Sequence, residues 1–529
     1  MRRTVRLLAS MGTAVLLASV VVLATAIGSV RSMAAAAERP NIVFVMTDDM
    51  PERLWSTMPA LRDRVGVKGT RFTNAYVTQS LCCPSRATVL TGEYPHNHGI
   101  TGNGAPNGGE AEFRNTGQDS DTIATRMQAD GYRTALVGKY MNGYKGEYVP
   151  PGWSYWYTEA GKNGINDNGR MTANRPQSFP MTFANRAGAF LDGATDEAGD
   201  PPFMLFYWTT QPHLPANVPP AYGDRFQNVK LPRPPSFNEP DVSDKPAYIR
   251  NRPSLTRDQI DRLEADHKTQ LRTLSHVDDT LANMLDLLRD RGELANTYVV
   301  FATDNGVHMD EHRYLLPRGS KSTPYEEAAS TPLIIRGPGV PRDATRTQLV
   351  ANNDLAPTFA AWAGGTPPRD VDGRSITPLL SATPPATWRT ALLNERRLLE
   401  PDDSPSPNYD AVFTATGKRY VEYVTGEKEL YDLRKDPYQL TNSYNSSAPP
   451  SSLASRLQTL KSCVGDTCRL AEASATASAS ATVSGSASAT AIAPEEELPD
   501  TGGAVSLIAL APLALLMSSG ILAFRLARR

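Results

Sequence analysis

Four short apolar runs that each end in polar side chains constrain the fold of this chain more than any other feature. The runs and the residues that follow them are 41–46 with Asp48 and Asp49, 133–137 with Lys139, 203–208 with His213, and 298–302 with Asp304 and Asn305. Continuous apolar runs of this length are typical of strands that are buried on both faces of a parallel sheet. Ligands gather at the carboxyl ends of such strands, so the pattern predicts an α/β fold with a site at one edge of its sheet.

A helix is predicted just before the last of these strands. From Leu271 to Leu288, apolar residues recur near the 3.6-residue helical period, and Gly292 follows as a stop signal. Strands that alternate with helices favour an open, mostly parallel sheet flanked by helices. We therefore expect the polar residues after the four strands to converge.

The acidic residues at two of the strand ends form a candidate metal site. One aspartate after a strand is usually a helix cap or a turn residue. Asp48 and Asp49 after one strand, with Asp304 and Asn305 after another, instead offer three carboxylates and an amide oxygen. This all-oxygen set suits Ca²⁺ or Mg²⁺ and does not suit zinc. The residues leave the choice between these two ions open.

Length and charge limit the class of protein. The chain has 529 residues, which is enough for one large α/β domain and a smaller one. It carries 54 basic and 56 acidic side chains, for a net charge of −2. Nucleic-acid binding usually requires a basic excess, so we expect no nucleic-acid partner.

The N-terminal segment has the layout of a secretory signal, which we assign to residues 1–37. Three arginines lie within the first six residues, an apolar run covers 7–30, and small residues suited to cleavage follow at 32–37. An uncleaved membrane anchor is the alternative. Arg2 and Arg3 also leave open whether export follows the general or the twin-arginine route.

The C-terminal segment resembles the sorting signal of Gram-positive surface proteins. The sequence LPDTG at 498–502 precedes an apolar stretch at 504–524 and an arginine-containing tail, together covering 498–529. The resemblance implies that sortase cuts after Thr501 and links the secreted protein to peptidoglycan. A permanent membrane-spanning helix is the alternative. Residues 471–497, rich in Ala, Ser and Thr, would form an extended tether between the folded body and the cell wall.

The chain has four cysteines, which form two pairs in the sequence. Cys463 and Cys468 are five positions apart, and in a secreted protein they predict a small-loop disulfide. Cys82 and Cys83 are adjacent and have no obvious partners. They require another explanation.

The residues around the adjacent cysteines resemble the signature of the type I sulfatases. Cys82-Cys83-Pro84-Ser85-Arg86 is followed by Leu-Thr-Gly at 90–92. In that family, a formylglycine-generating enzyme oxidises the cysteine two places before the proline to formylglycine (3-oxoalanine). The spacing assigns the modification to Cys82. The resemblance implies that one hydroxyl of the hydrated aldehyde attacks the sulfur of a sulfate ester and expels the alcohol. The second hydroxyl then collapses the intermediate back to the aldehyde and expels sulfate.

The resemblance extends over residues 39–470 and implies roles for most of the polar residues named above. It implies one Ca²⁺ per chain held by Asp48, Asp49, Cys82, Asp304 and Asn305. It also implies that Arg86 orients the formylglycine, and that Lys139, His213 and Lys321 contact the sulfate. His308 is a further candidate for substrate binding.

Within the family, the sequence is most similar to N-acetylglucosamine-6-sulfatases. The similarity is carried by residues 81–98, 138–142 and 426–440. It implies a sulfated carbohydrate substrate and removal of 6-O-sulfate from the glucosamine units of glycosaminoglycans. Two positions depart from the family pattern: Asn142 stands near a position where many sulfatases have a histidine, and Asp310 stands where relatives often have glycine.

The resemblance also implies an architecture. We expect an alkaline-phosphatase-like catalytic α/β domain at 39–384, with a large mixed, mostly parallel sheet flanked by helices. A smaller subdomain at 385–470 should contain an antiparallel sheet, with strands near 411–414 and 419–423 and a covering helix at 453–460.

Two other functions remain open from the sequence. Phosphonate and phosphate ester hydrolases of the same superfamily can use the same modified cysteine. Alternatively, the chain could be a surface glycan-binding protein in which Cys82 is not modified.

Overall fold

The computed structural model describes residues 39–146, 148–161, 164–172, 179–195, 200–316, 320–402 and 404–473. The predicted signal segment, Thr501 and the rest of the LPDTG sequence, and the apolar stretch after it lie outside the described residues. Among the helices of the described part, none is both long and apolar enough to cross a bilayer.

The described residues form sixteen strands and eleven α-helices. The strands are β1 Asn41–Asp48, β2 Thr70–Phe72, β3 Ala75–Tyr76, β4 Arg133–Gly138, β5 Tyr155–Ala160, β6 Gly164–Asp167, β7 Arg170–Thr172, β8 Phe203–Pro212, β9 Thr297–Thr303, β10 Leu333–Arg336, β11 Ala344–Arg346, β12 Val350–Ala351, β13 Ala391–Arg396, β14 Tyr409–Thr414, β15 Lys418–Tyr423 and β16 Lys428–Asp432. The helices are Cys82–Thr91, Pro95–His98, Gly109–Asn115, Ile123–Ala129, Phe179–Ala194, Ala247–Arg250, Arg257–Asp290, Glu326–Ala329, Leu355–Ala363, Ser451–Leu460 and Asp466–Ala473.

A ten-stranded mixed sheet forms the centre of the molecule. Its order is β11-β2-β10-β9-β1-β8-β4-β5-β6-β7. The five central strands, β9, β1, β8, β4 and β5, are parallel to one another, whereas β10 and β6 pair with them in the antiparallel sense. The four strands predicted from the apolar runs are β1, β4, β8 and β9. The predicted mixed, mostly parallel sheet is confirmed.

Helices cover both faces of this sheet because its central strands are apolar on both sides. In β1, Ile42, Phe44 and Met46 join one core and Val43 and Val45 join the other. The predicted helix at 271–288 is part of the longer helix Arg257–Asp290, whose apolar stripe packs in the second core. It begins earlier than predicted because its first turns are largely polar and carry little apolar periodicity.

The smaller C-terminal sheet is also confirmed. Strands β13–β16 form an antiparallel meander with the order β13-β14-β15-β16. The helix Ser451–Leu460 packs on it through Leu457 and Leu460. Cys463 and Cys468 form a disulfide beside the same core.

The last described helix extends into the segment predicted to be a tether. Asp466–Ala473 is helical, so three residues of the predicted 471–497 linker belong to the folded body. The helix ends on a buried polar network in which the Glu472 carboxylate accepts hydrogen bonds from Tyr94 Oη at 2.5 Å and from Arg374 Nη2 at 2.8 Å. Arg389 Nη1 lies 3.5 Å from the same carboxylate. The network holds the C-terminal end of this helix against Tyr94, Arg374 and Arg389.

Replacing Glu472 with alanine is expected to lower the free energy of unfolding by about 3 kcal/mol, because buried Arg389 loses one of its two carboxylate partners and Tyr94 loses its acceptor. Urea unfolding of Glu472→Ala would measure this loss. Leu470→Ala is the matched control, because the Leu470 side chain is 70% exposed on the same helix. Equal stability of the two variants would show that the network contributes nothing.

Candidate active site

Two parallel strands bring the acidic residues together. Thr47 of β1 lies in register with Thr303 of β9, so the residues that follow these strands meet at the same edge of the sheet. Asp48, Asp49, Asp304 and Cys82 are buried, and one ligand atom from each lies within 4.8 Å of all the others. The structure therefore brings together three carboxylates and one cysteine that were predicted to bind a metal.

Cys82 is the first residue of the helix Cys82–Thr91. A side chain from a loop about twenty residues further along the chain caps this helix. Leu81, at the capping position, provides no side-chain hydrogen bond. The Cys83 backbone N–H instead donates to Asn103 Oδ1 at 2.9 Å. No sequence motif marks Asn103, so its role at the start of this helix was not predicted.

Arg86 lies one turn into the same helix and links Asp48 to Asp304. Its side chain is fully buried. Its Nη2 lies 2.8 Å from Asp304 Oδ2 and 3.2 Å from Asp48 Oδ2, and its Nη1 donates to the carbonyl of Lys139 at 2.7 Å. A planar guanidinium can contact two carboxylates and a carbonyl at once, which an ammonium cannot do with the same geometry.

Two lysines approach Cys82 from different segments of the chain. Lys139 follows β4, and its Nζ lies 2.5 Å from Asp48 Oδ2. Lys321 lies in the connection between β9 and β10, and its Nζ lies 2.5 Å from Asp49 Oδ1 and 3.0 Å from Cys82 Sγ. Cys82 Sγ lies 3.6 Å from Asp48 Oδ1.

His213 completes the group from the end of β8. Its Nε2 lies 3.4 Å from Asp49 Oδ2, and its side chain is 29% exposed, which makes it the most accessible of these side chains. The structure thus brings together all of the predicted residues at 48, 49, 82, 86, 139, 213, 304, 305 and 321.

The basic side chains around the site offset the negative charge of its carboxylates. Burial acts to raise the pKa of Asp48, but Lys139, His213, Arg86 and Lys321 together hold it well below its ordinary value. Burial acts to lower the pKa of Lys139, but the Asp48 carboxylate raises it above its ordinary value. Both side chains are therefore ionised at neutral pH.

The donor set fits a hard divalent cation. Asn305 Nδ2 donates to Asp49 Oδ1 at 2.6 Å, which turns its Oδ1 away from that carboxylate. Asn305 Oδ1 is buried and has no hydrogen-bond partner among the described residues. A buried oxygen that has no hydrogen-bond donor, on the residue next to Asp304, is suited to binding Ca²⁺ or Mg²⁺.

His308 takes a more remote position than the other predicted residues. It is buried, its Nε2 lies 2.8 Å from Thr323 Oγ1, and burial lowers its pKa to about 3. It shares a small cavity of about 70 Å³ with Asp49. Its predicted contact with substrate stays a prediction.

The two positions that depart from the family pattern have different surroundings. Asn142 lines the same open cleft as Lys139 and His213. Asp310 is buried and has a φ of 77°, in the left-handed region that favours glycine. Relatives that have glycine there avoid this strain, and nothing in the structure explains why this chain has aspartate.

Comparison with known proteins identifies the family. Residues 40–365, more than half of the chain, match the family model for sulfatases. The chain belongs to the sulfatase family. Residues 311–462 of this sulfatase also match the model for the C-terminal region of N-sulphoglucosamine sulphohydrolase.

Individual relatives agree with this assignment. The sulfatase is 32% identical to the N-acetylglucosamine-6-sulfatase of Capra hircus, over 83% of this chain and 86% of that protein. Its fold matches that of BT4656, solved in complex with its substrate D-glucosamine-2-N,6-O-disulfate, with a TM-score of 0.67, 24% identity, and coverage of 80% of this chain and 98% of that chain. The fold is also shared with a phosphonate monoester hydrolase from Silicibacter pomeroyi, at a TM-score of 0.63, 22% identity, and coverage of 80% and 94%. The family model and the Capra hircus relative together show that the protein is a sulfuric ester hydrolase.

Proposed function

We propose that this sulfatase removes 6-O-sulfate from N-acetylglucosamine units of sulfated glycans, with formylglycine at position 82 as the nucleophile. The observation that carries the proposal is the placement of Cys82 between two lysines and a cluster of carboxylates, with Lys321 Nζ 3.0 Å from its sulfur. The cations would bind the sulfuryl oxygens, and the cluster would hold a divalent ion beside the nucleophile.

The unmodified thiol is poorly suited to this task. Burial, followed by the charge of Asp48, raises the pKa of Cys82 to about 12, so the thiol keeps its proton at neutral pH. Conversion to formylglycine would supply a hydrated aldehyde, which offers an oxygen nucleophile in the same place. The position of Cys82 two places before Pro84 in the Cys-Cys-Pro-Ser-Arg sequence supports the interpretation that it is modified by a formylglycine-generating enzyme.

The surrounding side chains have distinct positions relative to the substrate. Lys139 and His213 line an open cleft and are placed to contact the sulfate from one side. Lys321 lies beside Cys82, with its Nζ 3.0 Å from Sγ. Arg86 is fully buried and holds Asp48 and Asp304 in place, so we assign it a positioning role.

We further propose that the cation is a single Ca²⁺, held by Asp48, Asp49, Asp304, Asn305 and the modified Cys82. Five ligands, three of them carboxylates, favour Ca²⁺, which accepts irregular coordination more readily than Mg²⁺ does. The ion would offset the repulsion among the three carboxylates.

The substrate class is supported by the named relatives. The Capra hircus protein is an N-acetylglucosamine-6-sulfatase, and BT4656 was solved with a 6-O-sulfated glucosamine. A phosphonate hydrolase shares the fold, so activity on phosphorus esters is the alternative that a kinetic comparison must separate.

Replacing Cys82 with alanine is expected to lower kcat on N-acetylglucosamine 6-sulfate by about 10⁴-fold or more, because the nucleophile is lost. Cys83→Ala is the matched control and should keep most of the activity, since Cys83 is buried in the apolar core away from the cluster. Peptide mass spectrometry of the wild-type protein should find an aldehyde at position 82. An intact thiol in protein made by the native host would favour the glycan-binding alternative, and a higher kcat/KM for the 6-phosphate would favour the phosphorus-ester alternative.

Removing divalent cations with a chelator is expected to abolish activity, and Ca²⁺ should restore it better than Mg²⁺ does. Asn305→Ala removes a neutral ligand without changing the charge of the cluster, and it should weaken Ca²⁺ binding by about 10–100-fold in a direct titration. Asn353→Ala is a matched control, because Asn353 is also a buried asparagine but lies outside the cluster. Full activity after exhaustive chelation would contradict the metal assignment.

We also propose that the protein is secreted and attached to the Gram-positive cell wall through Thr501, by sortase and peptidoglycan. The support is the order of LPDTG, apolar stretch and basic tail in the sequence. Cell fractionation should find the protein in the wall fraction, and Thr501→Ala should move it to the membrane fraction. Thr490→Ala, within the tether, should leave it in the wall. Wall attachment of Thr501→Ala would contradict the proposal.

A further inference from the structure

Two histidines of one short helix differ in the number of protons that their hydrogen bonds require. They are His96 and His98 of the helix Pro95–His98. His98 Nδ1 accepts a hydrogen bond from the backbone N–H of Ile100 at 3.0 Å, and its Nε2 lies 3.0 Å from Thr88 Oγ1. A ring nitrogen that accepts a hydrogen bond carries no proton, so His98 is neutral. Its burial lowers its pKa to about 3, which agrees with this assignment.

Both ring nitrogens of His96 instead face acceptors. Nδ1 lies 2.8 Å from Glu395 Oε1, and Nε2 lies 2.9 Å from the carbonyl oxygen of Cys463. The Glu395 carboxylate also accepts from the backbone N–H of His96 at 3.0 Å and lies 2.9 Å from Arg397 Nε, so donors surround it. A neutral imidazole has one N–H and can donate to only one of these two partners. An imidazolium has two and can donate to both.

These two contacts, which we call the His96 bridge, connect three parts of the fold. His96 belongs to the catalytic domain, Glu395 lies on β13 of the smaller sheet, and Cys463 begins the disulfide loop at 463–468. The side chain of His96 is 8% exposed and that of Glu395 is fully buried, so solvent screens their interaction little. The ring of Tyr94 stacks on that of His96, with centroids 5.7 Å apart and planes 16° from parallel.

Charged groups on the surrounding elements act on His96 in both directions. Glu395 on β13 favours the imidazolium, and Arg397, just after that strand, opposes it. Arg397 Nε also lies 2.7 Å from Asp410 Oδ1 on β14, which offsets part of its charge. Asp372 adds a further negative charge from the segment that follows the helix Leu355–Ala363. The second histidine of the short helix is uncharged.

The balance of these effects favours the protonated ring. Burial acts to lower the pKa of His96, but Glu395 and then the Cys463 carbonyl raise it above its ordinary value of 6.5. A raised pKa means that the bridge stabilises the fold fully below about pH 6.5. That contribution is lost as the pH rises through the higher pKa of the folded state.

We propose that the His96 bridge is a pH-dependent link that holds the disulfide loop at 463–468 against the catalytic domain while the imidazole is protonated. Loss of the proton leaves one ring nitrogen with a lone pair that faces an acceptor, so one hydrogen bond is lost and the two groups repel. The loop then keeps the bonds that do not depend on His96. Among them, Asn97 Nδ2 donates to the Cys463 carbonyl at 3.0 Å, and the Gly465 N–H donates to Asp372 Oδ1 at 2.6 Å.

Amide hydrogen exchange of the 461–468 segment tests the proposal in the full-length protein. Wild type and His96→Gln are compared with each other at pH 7 and again at pH 9.5, so the intrinsic pH dependence of exchange cancels. We expect faster exchange in His96→Gln at pH 7, and a ratio of the variant rate to the wild-type rate that falls by about threefold or more at pH 9.5. A ratio that is the same at both pH values would overturn the proposal.

Asn97→Ala is the matched control, because Asn97 donates to the same carbonyl and does not titrate. Asp372, which Asn97 also contacts, has a pKa raised by burial to about 6 and is ionised at both pH values. Asn97→Ala should therefore speed exchange by the same factor at pH 7 and pH 9.5. A factor that falls as much as that of His96→Gln would assign the pH effect to the loop as a whole and overturn the proposal.

The wild-type protein alone provides a second test, which does not require that His96→Gln fold. Exchange of the 461–468 segment is measured relative to an unstructured peptide of the same sequence at each pH. We expect this protection to fall by about threefold or more between pH 7 and pH 9.5, while that of β14 stays the same. Equal protection of the segment at both pH values would overturn the proposal.

Discussion

The buried contact between Arg86 and the carboxylates of Asp48 and Asp304 is the interaction on which the rest of the site depends. Three carboxylates gathered within a few ångströms repel one another, and burial increases that repulsion. Arg86 links two of them from a fully buried position, while Lys139 and Lys321 pair with Asp48 and Asp49. Without these cations, the carboxylates would protonate or the strand ends would separate. The same balance leaves Asn305 Oδ1 free to bind a cation.

The charge cluster lies at the centre of the large sheet because the strands that carry most of its residues are neighbours there. Parallel strands β1 and β9 present their carboxyl ends side by side, and β4 and β8 add Lys139 and His213 from the adjacent positions. The helix Cys82–Thr91 then directs its first residue toward this edge. Because these groups come from five separate segments, and Lys321 comes from a sixth, they are positioned by the packing of the whole catalytic domain.

Much of this arrangement could be predicted from the sequence, for identifiable reasons. The central strands are apolar on both faces and end in polar residues, so their positions and the convergence of Asp48, Asp49, Asp304 and Asn305 follow from local pattern. Asn103 was missed because capping across twenty residues leaves no periodic signal. The start of the tether was placed too early, since the composition of residues 471–473 does not show that Glu472 is held by Tyr94 and Arg374.

The sequence by itself determined the type of sheet, the residues at its strand ends and the cysteine that stands in the sulfatase signature, because these depend on short-range pattern and spacing. Only the tertiary structure decided how the cations are shared among the carboxylates, that Lys321 reaches the sulfur of Cys82, and that His308 lies apart in a small cavity. Contacts between segments hundreds of residues apart depend on how the chain packs, and no local pattern encodes that geometry.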